Sequence, residues 1–171
     1  MVSKPVNEGA PSRVLHFAVV LATVLLLVFS GMGCRPAPPA PELALRITDW
    51  KTGAVYVDVP AKTGGSLFFG WIHSWEKIPW NEYYHIDENR HLVLDAITFP
   101  AFGAGIPEDK GTVCYIKDGL IHMEGIGQVF PELVWLNSHT ATREILLDGA
   151  HVARGSELPQ HTRLRLAIEK R

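Results

Sequence analysis

The segment TVCYIKDGLIHM, residues 112–123, decides the fold class of this chain. Two short runs of β-forming residues flank the pair Asp118-Gly119. An Asp-Gly pair accepts the positive φ angles of a two-residue type I′ turn, so the segment predicts an antiparallel hairpin. The segment EILLDGAHV, residues 144–152, carries the same pair between similar runs and predicts a second hairpin.

The same pattern extends outward from these hairpins over residues 43–171. Short apolar or alternating runs recur there between turn residues such as Gly, Asp and Asn, which is typical of strands. Many short strands with regular turn signals and no helical pattern predict an all-β domain, either an antiparallel β-sandwich or a partly open barrel. The ten candidate strands cover residues 43–50, 54–59, 66–75, 82–86, 91–97, 112–116, 120–123, 144–147, 150–152 and 162–168.

The N-terminal part of the chain has a different character. The run Val14–Phe29 contains no Asp, Glu, Lys or Arg, follows Lys4 and Arg13, and leads through small residues to Cys34. A basic start, an apolar core and a small-residue exit are typical of a secretory signal. With the small residues included, the run also reaches the roughly 20 residues of a membrane-spanning helix. Residues 1–34 are therefore predicted to form an apolar helix that serves as a signal peptide or a membrane anchor.

Cys34 and the segment after it favour an anchored product. Small residues before a cysteine at the end of a signal core resemble the lipobox of bacterial lipoproteins, whose cysteine is lipidated, although Gly31 stands where a lipobox usually has Leu. The alternative is a retained helix. Residues 35–42 are rich in Pro and Ala and predict a semi-rigid tether. Either anchor places residues 43–171 outside the cytoplasm, on a bacterial membrane and facing the periplasm or the cell exterior.

Charge and cysteine content narrow the partners and the chemistry. The formal net charge is −2 and no basic run occurs, so no nucleic-acid partner is expected. Cys114 is the only cysteine besides Cys34. It alternates with Ile116 in a candidate strand and is predicted to be a buried, inert thiol. With Cys34 lipidated, no internal disulfide forms, so a hydrophobic core has to stabilise the domain.

The stretch GWIHSWEKIPWNEYYHI, residues 70–86, concentrates the candidate site residues and three of the five tryptophans. If it forms a hairpin, His73 or Ser74 lies across from Glu82 or near it, and a His beside a carboxylate is the smallest unit of acid–base chemistry. Two alternatives are a binding surface, because interfaces favour Trp, Tyr and His, and a cluster that only fastens the hairpin. As a binding surface, the stretch gains contact area from Trp71, Trp75 and Trp80.

Other features of the sequence weigh against specific catalytic sites. Ser74 directly follows His73, so the two side chains point to opposite faces of a regular strand, and no Gly-x-Ser-x-Gly elbow occurs. The His and Glu residues lack the spacing of a zinc site, so no metal or other cofactor is predicted. Gly103 and Gly105 lie in a predicted loop whose exposed amides either receive an anion or simply build a crossover between strands.

One combination of features stands out: behind the N-terminal membrane segment, the chain carries His73-Ser74, Glu82 and Gly103-Ala104-Gly105. Over roughly residues 43–171 this combination resembles an uncharacterised bacterial domain-of-unknown-function (DUF) family encoded beside TAXI-type TRAP transporters. That family has no assigned reaction. TRAP systems import organic acids with a substrate-binding protein and a membrane permease. The resemblance therefore implies a membrane-anchored accessory whose partner is the permease or its solute-binding protein.

The expected function is thus that of a membrane-anchored, extracytoplasmic accessory protein of unknown biochemical activity. Its ligand or partner site is expected at His73, Ser74, Glu82, Gly103 and Gly105, with His73 and Glu82 supplying an ion pair or hydrogen bond. Two other functions stay open at this stage. One is an envelope hydrolase that uses the His73 and Glu82 pair, and the other is a stand-alone structural or binding lipoprotein.

Overall fold

The computed structural model describes residues 42–103, Gly105 and residues 109–171. The described chain forms eleven strands and one 3₁₀ turn at Gly155–Glu157, and it contains no α-helix. The strands are β1 (Leu43–Asp49), β2 (Val55–Ala61), β3 (Ser66–Ile72), β4 (Pro79–Ile86), β5 (Leu92–Phe99), β6 (Val113–Lys117), β7 (Leu120–Phe130), β8 (Leu133–Leu136), β9 (Thr142–Leu147), β10 (Ala150–Ala153) and β11 (Arg163–Lys170).

The strands form two antiparallel sheets and no closed barrel is present in the described part. One sheet has four strands in the order β2-β1-β11-β8, and the other has seven in the order β10-β9-β3-β4-β5-β7-β6. The predicted all-β, sandwich-like class is therefore confirmed. The predicted N-terminal helix, Cys34 and the tether up to Pro41 lie outside the described residues. In the described part, no helix has the length and apolarity needed to cross a membrane.

The two Asp-Gly hairpins form as predicted. Asp118 and Gly119 have φ angles of 53° and 76°, and Asp148 and Gly149 have φ angles of 50° and 78°. Positive φ at both central residues is the requirement of the type I′ turn, whose twist matches that of the flanking strands. The first pair joins β6 to β7 and the second joins β9 to β10, each with the adjoining strand residues directly paired.

Apolar side chains from both sheets meet in one core. The large core residues of β1 and β11 occupy every second position, because one face of the four-stranded sheet is turned inward; they are Leu45 and Ile47 in β1 and Leu164, Leu166 and Ile168 in β11. Each fully buried aliphatic side chain of this kind stabilises the fold by about 1.5–3 kcal/mol. The fully buried residues of the core, all at most 1% exposed, include Leu45, Ile47, Leu67, Ile86, Leu92, Ile97, Phe99, Met123, Ile145, Leu164 and Leu166.

The prediction of a buried Cys114 is wrong. Cys114 is exposed, as is every residue of β6. The physical reason is the position of β6, which among the described strands pairs with β7 alone and forms one edge of the seven-stranded sheet. Alternation along a strand predicts a buried face only where a second layer packs on that face. Both faces of this edge strand are exposed.

Several strand boundaries differ from the sequence expectation. Strand β4 begins at Pro79 instead of Glu82, because Pro79 pairs with Ile72 in the hairpin. Strand β3 ends at Ile72 instead of Trp75, because the chain turns at His73. Strand β7 continues to Phe130. Gly125 and Gly127 adopt positive φ angles within it, and the register against β5 shifts between Leu94 and Ala96, so the strand passes through an irregularity and continues. Strand β8 was not predicted at all, because four residues are too few to show a period.

Candidate functional site

The β3–β4 hairpin places Glu82 in the middle of an inward-facing apolar patch. Three directly opposed residue pairs face the core, and Glu82 is the only charged member among their six side chains. Its neighbours on this face are buried or half-buried, as their alternation along the two strands requires. The three pairs are Leu67 with Tyr84, Phe69 with Glu82, and Trp71 with Trp80.

The Glu82 carboxylate is held by two side-chain donors. The Tyr84 hydroxyl donates to Oε2 at 2.7 Å, and the Trp80 indole Nε1 donates to Oε1 at 3.1 Å. Burial raises the pKa of Glu82 above its usual range, although the hydrogen bonds from Tyr84 and Trp80, the nearby indole of Trp71 and the charge of Lys110 act in the opposite direction. Burial and the adjacent carboxylate also raise the pKa of Tyr84, which keeps its hydroxyl protonated as a donor.

A cavity of about 430 Å³ opens beside this carboxylate. It lies between β8, at the edge of the four-stranded sheet, and the inner faces of β3, β4 and β9. Cavities of this size are typical of small-molecule sites. Its lining residues are Phe69, Trp71, Glu82, Tyr84, Phe130, Glu132, Leu133, Val134, Trp135, Leu136, Ala141 and Thr142.

His73 lies beyond the end of β3 and does not pair with Glu82. The His73 amide donates to the carbonyl of Ile78, whereas the residue opposite Glu82 is Phe69. Ile78 and Glu82 are four positions apart along the chain, or about 13 Å at the usual rise of a strand. No hydrogen bond or ion pair joins His73 to Glu82 in the described chain. Trp80 contacts both, with its ring centroid 5.8 Å from that of His73.

The His73 ring packs on aromatic neighbours instead. Its centroid lies 5.7 Å from that of Trp71 in a stacked arrangement. Its Nδ1 accepts a hydrogen bond of 3.3 Å from the amide of Glu76, across the turn that follows β3. His73 therefore holds this turn against the indoles of Trp71 and Trp80. Its imidazole does not form an acid–base pair with the Glu82 carboxylate.

The turn after β3 exposes two more residues of the predicted site, Ser74 and Trp75. Ser74 is exposed, and its carbonyl accepts a hydrogen bond from the Lys77 Nζ. Trp75 is 77% exposed. The three indoles of the stretch thus have separate places: Trp80 is buried, Trp71 lines the cavity, and Trp75 projects into solvent.

The glycine loop approaches this turn closely. A Cβ at Gly103 would lie 2.5 Å from Cδ of Glu76, and a Cβ at Gly105 would lie 3.9 Å from Cε1 of His73. Gly105 also has a φ of 79°, which L-residues rarely adopt. We call the turn His73–Ile78 together with Gly103 and Gly105 the hairpin corner. The structure therefore brings His73, Ser74 and the two glycines together, while Glu82 lies apart in the cavity.

Sequence reasoning missed the residues on the far side of the cavity. Phe130, Leu133 and Trp135 complete its wall, and Tyr84 holds its carboxylate. The available signal was the continuous apolar run Leu133-Val-Trp-Leu136, which is compatible with a buried strand. The run is too short to identify as a strand, and nothing in it indicates which sheet face it meets.

In the described residues, no three His, Cys, Asp or Glu side chains come together in a way that would hold a metal ion.

Comparison with curated proteins and with solved structures gives no match. Residues 68–153 match the family described as "Domain of unknown function (DUF1850)", and this segment contains both Glu82 and the hairpin corner. Because the match spans half of the sequence, the chain belongs to the DUF1850 family.

Proposed function

We propose that this chain is a membrane-anchored, extracytoplasmic accessory protein of a TAXI-type TRAP transporter, and that it acts by binding and not by catalysis. The apolar N-terminal run, Cys34 and the Pro/Ala segment support an anchor and a tether. Membership of a family without an assigned activity is compatible with an accessory role. The resemblance to domains encoded beside such transporters supplies the transporter class.

The observation that carries the choice of binding over catalysis is the position of Trp80. Its ring contacts His73 on one side, and its indole N–H donates to Glu82 on the other. A hydrolase that used this pair would need the imidazole within hydrogen-bonding distance of the carboxylate that orients it. The hairpin register opposes that arrangement. What the arrangement does offer is an aromatic surface with a fixed polar group, which suits recognition.

The hairpin corner supplies the partner surface in this proposal. Trp75 leaves most of its indole in solvent, and Phe102, next to Gly103, is 52% exposed. Exposed Trp side chains are enriched among the residues that dominate binding energies at interfaces. The partner is the transporter permease or its solute-binding protein.

The test is a pull-down from solubilised membranes with the full chain as bait, comparing wild type with Trp75→Ser. The matched control is Ile116→Ser, because Ile116 on edge strand β6 is 75% exposed and belongs to neither site. We expect a permease or solute-binding protein to be recovered with wild type and with Ile116→Ser and to be lost with Trp75→Ser. Equal recovery with both variants removes the hairpin corner from the proposal. Recovery of no transporter component overturns the accessory function.

The anchor is tested separately with labelled fatty acid. Cys34 lipidation predicts incorporation of labelled palmitate into the full chain and its loss in Cys34→Ser, while Cys114→Ser keeps the label. Membrane attachment without any label would replace the lipid anchor with a retained helix.

A further inference from the structure

We propose that the cavity beside Glu82 binds a quaternary ammonium group. The proposal deepens the binding function proposed above and rests on it, because it assigns a ligand class to a second site on the same domain. Three observations lead to this class: the charge balance of the cavity, its aromatic walls, and the hydrogen bonds that Glu82 has already formed.

The charge balance of the cavity favours a cation. Among the described residues, its lining contains two carboxylates, Glu82 and Glu132, and no Lys, Arg or His. Glu132 forms an ion pair with Arg165, so its charge is compensated within the protein. Glu82 has no ion-pair partner among the described residues, and Lys110 acts on it only from a distance. An ionised carboxylate in such surroundings is costly unless a cation accompanies it.

The walls of the cavity suit an organic cation. Five aromatic side chains of the described chain line it, and two pairs of them meet edge to face: Phe69 with Trp135 at 5.2 Å, and Tyr84 with Phe130 at 6.0 Å between centroids. The fifth is Trp71. Aromatic faces attract cations through the ring quadrupole, and cages of such rings recognise quaternary ammonium ligands.

The hydrogen bonds of Glu82 distinguish a quaternary ammonium from other cations. Both carboxylate oxygens already accept a donor from Trp80 or Tyr84. The remaining walls are mostly apolar, so a metal ion or a primary ammonium would find few further oxygen partners. A quaternary ammonium makes no N–H hydrogen bonds and needs only charge complementarity and aromatic contact.

The same arrangement opposes an organic acid. A dicarboxylate in the cavity would meet Glu82, and none of the described lining residues is a cation that would offset the repulsion. The cavity is therefore unsuited to the organic acids that TRAP systems import. In this account, contact with a transporter component occurs at the hairpin corner, and the cavity has a ligand of its own.

The test compares choline with 3,3-dimethyl-1-butanol, its neutral carbon isostere, by titrating the tryptophan fluorescence of the full chain in a non-ionic detergent. Trp71 and Trp135 line the cavity and provide the signal. We expect the dissociation constant for choline to be lower by about tenfold or more, because only choline carries the charge that Glu82 and the rings complement. Glu82→Gln should abolish this preference. Glu88→Gln, the same chemical change on an exposed carboxylate that does not line the cavity, should preserve it.

Every outcome decides the proposal. Equal binding of choline and its isostere, no binding of choline, or preference for succinate overturns it, as does a Glu82→Gln variant that folds and still prefers choline. The wild-type comparison needs no variant, so it is decisive even if Glu82→Gln fails to fold. Titration with dihexanoylphosphatidylcholine below its micelle concentration identifies the source of the ligand. Tighter binding of this lipid than of choline would indicate a lipid headgroup, and binding no tighter than that of choline would indicate a free solute. Choline binding combined with a failed pull-down would overturn the transporter proposal alone.

Discussion

Replacement of Tyr84 by Phe isolates the hydrogen bond that holds the Glu82 carboxylate. The Tyr84 side chain is 4% exposed and packs edge to face on Phe130, and Phe preserves both features. The change removes only the hydroxyl that donates to Oε2 at 2.7 Å. Hydrogen bonds to charged groups contribute about 1.5–3 kcal/mol, and a buried acceptor that loses its donor bears its own desolvation cost. We therefore expect the free energy of unfolding to fall by about 2 kcal/mol at pH 8.

The pH dependence of this loss follows from the sign of the Glu82 shift. Tyr84 donates to the carboxylate and so favours its ionised form, which means that Tyr84→Phe raises the pKa of Glu82 further. The destabilisation should therefore be largest above this pKa, where wild-type Glu82 is ionised, and smaller below it, where Glu82 is protonated. Tyr84 itself stays neutral throughout, because burial raises its pKa.

The assay is urea unfolding of the full chain in non-ionic detergent, followed by tryptophan fluorescence at pH 8 and pH 4. A double-mutant cycle with Glu82→Gln measures the coupling between the two side chains, which we expect to be about 1–2 kcal/mol at pH 8. A Tyr84→Phe variant as stable as wild type at pH 8, or a coupling below about 0.5 kcal/mol, would refute the reasoning. Tyr83→Phe, on the outer face of β4, is the matched control and should leave stability unchanged.

Three further perturbations have defined outcomes. Burial favours the protonated form of Glu82, so wild-type stability should fall as pH rises through its raised pKa. Glu82→Gln should therefore match or exceed wild-type stability at pH 8 in urea unfolding, with the difference vanishing at pH 4, and the opposite order would contradict this. Asn137 is fully buried, and its Nδ2 donates to three backbone carbonyls between residues 155 and 159 at 3.0–3.2 Å. Asn137→Ala should lower the free energy of unfolding by about 2–4 kcal/mol, whereas a loss below about 1 kcal/mol would count against these bonds. Gly111 has a φ of 89°, and a Cβ there would lie 2.2 Å from the backbone oxygen of Glu124, so Gly111→Ala should lower the melting temperature, and an unchanged value would show that the backbone yields freely.

The parts of the fold that depend on local chemistry were predictable from the sequence. Asp118-Gly119 and Asp148-Gly149 specify their turns through backbone conformations available to few residue pairs, so they identify four strands and their connections. The exposure of Cys114 and the existence of β8 were not predictable in the same way. Both depend on which strand lies at a sheet edge and on what covers its faces, and those are consequences of tertiary packing.

The candidate site was also predictable only where it depends on local sequence. The residue types of the stretch 70–86 directed attention to Trp71, Trp80 and Glu82, and the structure shows that these residues contact one another or share the cavity wall. Their relationship to His73 was not predictable, because a chain turn at His73 replaced the longer strand that the aromatic run suggested. The far wall at Phe130 and Trp135 depends on contact between two sheets, which no local pattern encodes.

The central claim is that the hairpin corner contacts a transporter component outside the cytoplasm. A photoreactive amino acid in place of Trp75, activated in intact cells that carry the full chain, tests this most directly. We predict a crosslink to a TRAP permease or its solute-binding protein from position 75 and none from position 116 on the edge strand. Crosslinks of equal yield from both positions, or no transporter component among the products from position 75, would contradict the account.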